Sequence, residues 1–344
     1  MKVSINKIHK LVIHQVGNKL NEDGVKFSNM ETFFRNAEED ILKLVNANIT
    51  FNELYGLYFT PYLSLNPVYQ FVSKLFEDLT LIIDQSQNFA RHLYDNSLHP
   101  KIKGGEFYTV YFKDCIIDGI TTDAVGLFKS ENKDTFLKVY PSGDGFEIES
   151  EKGININKLD KGCLIFNIEK ENGYVVAVVD NTNKGAEAQY WMDDFLHVRP
   201  RKDEYYNTQN ILSLCKNFVT KELSQQGDVS KADQVDFLNK SVQFFKEKES
   251  FDMVEFVNEV IEKPALIESF NNYKKDFQKD REIDLSDNFV ISESAVKKQA
   301  RSIKSIIKLD KNFHIYVHGH RELIEQGVDE AGRKFYKIYY SEES

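Results

Sequence analysis

Three histidines fall within seven positions near the end of the 344-residue chain: His314, His318 and His320, in the stretch KNFHIYVHGHREL. A His-x-His pair on a strand can hold a transition metal. If residues 312–318 form a strand, His314, Tyr316 and His318 share one face, because side chains alternate. Phe313, Ile315 and Val317 then take the other. No acid or cysteine stands at a matching interval to complete a ligand set, and Lys311 and Arg321 would repel a cation. The expectation is a polar strand face without metal or cofactor.

Just upstream lies SAVKKQARSIKSIIKLDK, read as a helix from Ser292 or Ser294 to about Leu309. Val296, Ala300, Ile303 and Ile307 recur at helical spacing as a packing stripe, with Lys297, Arg301, Lys304 and Lys308 on an adjoining face. From Lys297 to Arg321 there are seven basic residues: Lys297, Lys298, Arg301, Lys304, Lys308, Lys311 and Arg321. Against them stand only Asp310 and, at the margin, Glu322. In a chain of net charge −10 this is the clearest local excess of positive charge. Cations one helical turn apart can follow regularly spaced phosphates, which makes these seven the candidate DNA-binding residues. The pattern equally suits a solvated helix face, as charge runs commonly do.

Catalytic signatures are scarce. The sequence has no G-x-x-x-x-G-K-[ST], no G-x-G-x-x-G after a strand, no H-E-x-x-H and no G-x-S-x-G. SGDGFEIESEKG offers Asp144, Glu147, Glu149 and Lys152, a loose match to a metal-dependent nuclease, but alternating acids on a strand usually mark its solvent face. Cys115, Cys163 and Cys215 are scattered and odd in number, which suits a reducing compartment rather than a disulfide framework or zinc knuckle. Cys215 sits in an apolar helical stripe and reads as packing.

The composition is that of a globular chain, 41% hydrophobic and 28% charged, rich in Phe and Tyr and poor in Gly and Pro. The N-terminus lacks a signal-peptide apolar run, and no stretch reaches the length of a spanning helix. A soluble, cytoplasmic protein without membrane contact is expected. Its negative charge opposes non-specific attraction to nucleic acid, so any DNA binding needs a local basic surface.

The elements that must position these residues follow from periodicity. Val3 to Val16 reads as strand, and Ser28 with Glu31 as a capping box opening a helix with Phe34, Ile41, Leu44 and Val45 on its apolar side. Asn66 and Pro67 open a helical stretch running to Ser97. After Gly104-Gly105, β-rich runs alternate with Asp-Gly, Ser-Gly-Asp-Gly and Glu-Asn-Gly turns, which implies an antiparallel meander. Helical pattern returns from Gln189 to about Arg281, with Pro264 starting one helix. A strand at 289–291 and a hairpin turned by DEAG close the chain. The fold class is α+β: an antiparallel meander sheet with flanking helices, a helical middle and a small C-terminal helix-plus-β-hairpin unit, with boundaries at 1–188, 189–285 and 286–344.

In this order of segments the chain resembles the bacterial nucleoid-associated protein family of the NdpA or YejK type. The likeness is carried by INKIHKLVIHQV, GEFYTVYF, WMDDFLHV with YNTQNILSLCKNF, and FVISESAVKKQARSIKSIIKLDKNFHIYV with FYKIYY. It implies a nucleoid protein that binds double-stranded DNA without chemistry on it, and contact with DNA topology enzymes. A rival reading is an interaction scaffold brought to the nucleoid by such a partner, supported by the acidic charge and the many aromatics.

Overall fold

The computed structural model describes residues 2–182, 190–225, 229–303 and 306–342. The chain divides into two units, Met1–Arg201 and Lys202–Ser344. The helical middle and the C-terminal segment thus belong to one unit, where the sequence reading separates them at 285/286.

The first unit holds β1 (Val3–Ser4), β2 (Ile8–Val16), β3 (Val25–Lys26), α1 (Glu38–Asn48), β4 (Tyr55–Leu57), α2 (Pro67–Glu77) and α3 (Ile82–Asp95). There follow β5 (Gly105–Ile117), β6 (Ile120–Ser130), β7 (Asp134–Ser142), β8 (Gly145–Gly153), β9 (Lys161–Phe166), β10 (Val175–Asp180) and β11 (Val198–Pro200). An antiparallel sheet runs in the order β11-β4-β10-β9-β6-β5-β2-β3, with β1 also on β5. Its central strands are apolar on both faces, so both faces need cover. Val125, Leu127, Cys163, Ile165 and Val176 pack with α2 and α3, including Val72 and Phe89. Ala124, Phe128, Leu164, Phe166 and Ala177 pack on the other face with Val45 of α1.

The meander contains one detour. The hairpins β5–β6 and β9–β10 are consecutive as expected, but β6 pairs directly with β9. The hairpin β7–β8 between them leaves the sheet and, among the described residues, pairs only with itself.

Asn66 caps α2, its side chain accepting from the Tyr69 amide at 3.0 Å, with Pro67 at the first helical position. The long helical stretch is two helices, because Asp78 is extended and its carboxylate takes the Thr80 amide instead. The capping box at Ser28 does not form. Ser28 donates its amide to His14 Nδ1 and its hydroxyl to the Met30 carbonyl, while Glu31 pairs with Lys10. The helix therefore starts at Glu38, and Val45 is still buried beneath it.

The second unit holds α4 (Glu204–Lys221), α5 (Lys231–Glu247), β12 (Ser250–Asp252), α6 (Met253–Phe256), α7 (Pro264–Asp280), β13 (Asn288–Val290) and α8 (Glu293–Ala300). Two hairpins end it, β14 (Ile306–Leu309) with β15 (Phe313–Tyr316), and β16 (Ile324–Val328) with β17 (Lys334–Ile338). Its larger core joins Leu212, Cys215 and Phe218 of α4 to Phe244, Phe256, Phe270, Ile291, Val296 and Ile303. That shared core explains why the C-terminal segment is not a unit of its own.

The helix through the basic run is shorter than its periodicity predicts. Ser292 caps α8 as expected, but the helix ends at Ala300. The Ser302 hydroxyl bonds back to the Gln299 carbonyl at 2.9 Å, and the chain re-enters as β14 at Ile306. Ile306 and Ile307 are β-branched and favour a strand, and β15 supplies the partner. Ile307 is buried as the stripe requires, in a smaller cluster with Ala232, Val235, Val317 and Ile324.

Candidate nucleic-acid interface

Of the four cations expected on one helix face, Lys297, Arg301 and Lys308 do not share one. Lys297 and Lys298 lie in the last turn of α8, where positive charge suits the helix dipole. Lys297 pairs with Glu293 at 3.2 Å, but both are exposed, so the pair holds weakly. The Lys298 ammonium sits 5.5 Å from the centre of the Tyr205 ring. Arg301 follows the helix and is exposed, and Lys304 lies outside the described residues.

Lys308 belongs to β14 rather than to a helix. Cross-strand register places it opposite His314 and places Ile306 opposite Tyr316, so these four share one face. Ile307 and Ile315 turn inward. Lys311 is exposed on the turn, where Asp310 accepts from the Asn312 amide at 2.7 Å. Phe313 and Tyr316 are 62% and 64% exposed. The outward face therefore presents Lys308 together with Tyr316, a cation for a phosphate oxygen beside an exposed ring, while Phe313, opposite Leu309, lies on the other face.

Arg321 is occupied elsewhere. Its Nε donates to Asp233 Oδ1 at 2.7 Å, and its other nitrogens reach the Ile324 carbonyl and the Ser230 hydroxyl. Ser230 and Asp233 form the capping box of α5. Burial works to raise the Asp233 pKa, but the bonds from Ser230 and Arg321 outweigh it and hold the carboxyl below its ordinary value. Arg321 fastens the end of the chain to α5 and is not a free phosphate contact.

The histidines do not converge. β15 ends at Tyr316, His318 is exposed beyond it, and His320 takes a left-handed backbone with Nδ1 2.8 Å from Glu322. Among the described residues no three His, Cys, Asp or Glu side chains gather as a metal-ligating group.

Two features of the first unit escape a sequence reading. Lys129 and Lys161 face each other across β6 and β9, and both are fully buried. Lys129 donates to the Lys103 carbonyl at 2.8 Å and lies 3.1 Å from Glu131, while Lys161 lies 2.9 Å from Asp180. The Tyr190 ring is close to both ammoniums, at 5.7 and 5.2 Å. Burial pushes the Lys129 pKa down against the pull of Glu131, and burial with Glu131 pushes the Tyr190 hydroxyl well up. Each charge is partnered, so the cluster is a polar piece of core. Beside it, Lys26, Lys103, Lys133 and Lys152 line a cleft of about 620 Å³ that also holds Asp23, Glu106 and Glu131. These residues are far apart in sequence, and only the fold gathers them.

A family model described as nucleoid-associated protein YejK matches residues 12–333. The chain belongs to this family. No curated protein matches it. The YejK match begins in β2 and ends at the turn before β17, so it takes in both units. Among the described residues no helix is long and apolar enough to cross a membrane.

The residues that loosely match a nuclease are not assembled as one. Glu147 and Glu149 point to the face of β8 opposite Lys152, and Asp144 is in the turn. The three cysteines are buried, and burial pushes the thiols of Cys115 and Cys215 up to about 12. None is a poised nucleophile.

Proposed function

We propose that this nucleoid-associated protein binds double-stranded DNA directly, with weak sequence preference and without chemistry on it. Membership of the YejK family carries the reading. The surface we assign is the exposed set Lys297, Lys298, Arg301, Lys308 and Lys311, with Lys304 between them in sequence. Arg321 is left out because its guanidinium is taken by Asp233. Cations on a strand, a turn and a helix end would grip phosphates without reading bases, which accounts for weak sequence preference.

The test is a titration of the purified protein with unrelated duplexes at several salt concentrations. Three or four neutralised phosphates give a log–log slope of about −3 to −4. Absence of binding in low salt would favour a scaffold recruited by a partner such as a DNA topology enzyme. Exposed Phe313, Tyr316 and Tyr340 would be apt contacts for such a partner.

A further inference from the structure

The β7–β8 hairpin is an anomaly in an otherwise ordinary unit. Register assigns Thr135, Leu137, Val139 and Pro141, with Lys152, Ser150, Ile148 and Phe146 opposite them, to one face. Leu137, Val139, Phe146 and Ile148 are 69%, 58%, 75% and 68% exposed. The reverse face carries Glu147, Glu149 and Glu151, with Lys138 bonded to Glu151 at 3.0 Å. A two-stranded hairpin is marginal alone, and a contiguous apolar face in water marks a contact surface.

We propose that this face packs against the same face of a second copy of the chain about a two-fold axis. The axis passes through the Val139–Ile148 pair, which then meets itself. The same rotation sets bulky Phe146, beside Pro141, over the Leu137–Ser150 pair, where Ser150 leaves room. One step further out it brings Asp144 in the turn of one copy to Lys152 at the base of the other. Both side chains are exposed, and neither makes an ion pair among the described residues. Bulk meets space and acid meets base, as an isologous contact demands. The three glutamates point outward on both copies, and their charge disfavours nucleic acid or an anionic membrane as the occupant. The four large side chains expose about 500 Å² per copy, so pairing would remove about 1,000 Å², the lower limit for a specific interface.

Sedimentation or light scattering of the full chain at micromolar concentration should give twice the 40.0 kDa chain mass. The Val139→Glu/Ile148→Glu variant should be monomeric with an unchanged circular-dichroism spectrum, since both positions are exposed in the single chain, and should melt no higher than the parent, whose association adds stability. Asp144→Lys and Lys152→Asp should each weaken the dimer by about tenfold or more, through a like-charge contact. The double exchange Asp144→Lys/Lys152→Asp should restore it. A monomeric parent, a dimer that persists in the glutamate variant, or a double exchange without rescue overturns the proposal. So does a monomer that floats with phosphatidylcholine vesicles, which would give the face to lipid.

Discussion

Lys308 and His314 stand opposite each other across the β14–β15 pair, both exposed, while Ile307 and Ile315 pack inward at the next position. The basic run is therefore folded into a hairpin surface beside a helix end. Replacing Arg301, Lys308 and Lys311 with Gln should lower DNA affinity about equally for unrelated duplexes. The salt slope should flatten by about one for each phosphate no longer neutralised. Melting should barely change, because exposed substitutions away from special contacts rarely matter. Unchanged binding would send the site elsewhere, with the lysine-ringed cleft of the first unit next to test.

Ile307 makes the complementary case. It is 1% exposed, in the cluster that seats the hairpin on α5. Ile307→Ala should destabilise the second unit by about 2–5 kcal/mol, read by urea unfolding. Ile306→Ala, one residue away on the outward face, should have a much smaller effect.

Arg321 should prove structural. Arg321→Ala should leave DNA affinity and salt slope unchanged while lowering stability by about 1 kcal/mol, as suits a partly solvated pair. The sign with pH follows from Asp233, whose folded pKa lies below its ordinary 3.8. Its contribution is present above that value and fades as pH falls through the lower folded one. Unfolding measured from about pH 6 to about pH 3 should show a shallower acid loss in the variant than in the parent.

His14 gives a second pH signature, in the first unit. It belongs to β2, and its buried ring reaches α3, with Nδ1 accepting from the Ser28 amide at 3.0 Å and Nε2 2.9 Å from the Ser86 hydroxyl. Burial lowers its pKa from 6.5 to about 4. A depressed value means the unfolded chain binds the proton first, so this stabilisation is complete above pH 6.5 and lost as pH falls towards 4. The full span corresponds to about 3 kcal/mol. A His14→Gln variant should be less stable at about pH 7.5, with a smaller further loss between about pH 6.5 and 4.5. A parallel decline in both proteins would refute the assignment.

Where local chemistry decided the structure, the sequence was readable. Asn66 before Pro67 has no better use than to cap a helix, and Pro264 begins one. Alternating β-branched runs between glycine turns could hardly pair except antiparallel. Where a partner decided, it was not. Val296, Ala300, Ile303 and Ile307 fit a helical repeat, yet a strand at 313–316 was available to capture Ile306 and Ile307. Ser28 and Glu31 have the right spacing for a capping box, but His14 and Lys10 hold them. The burial of Lys129 and Lys161 depends on Tyr190 and Asp180, contributed by other segments, as well as on neighbouring Glu131. Arg321 reads as one more cation until Asp233, eighty-eight positions upstream, is brought beside it.

The detour between β6 and β9 has an architectural consequence. Lys129 and Lys161 are already opposite each other in register, so the chain leaves the sheet and returns to it at nearly one point. Asp160 fastens that point, its carboxylate accepting the amides of Glu131 at 2.7 Å and Asn132 at 2.8 Å. Everything beyond this neck hangs from a closed doorway, and loop-closure entropy grows only slowly with length. The arm can be lengthened, trimmed or exchanged there while the strands on either side keep their neighbours.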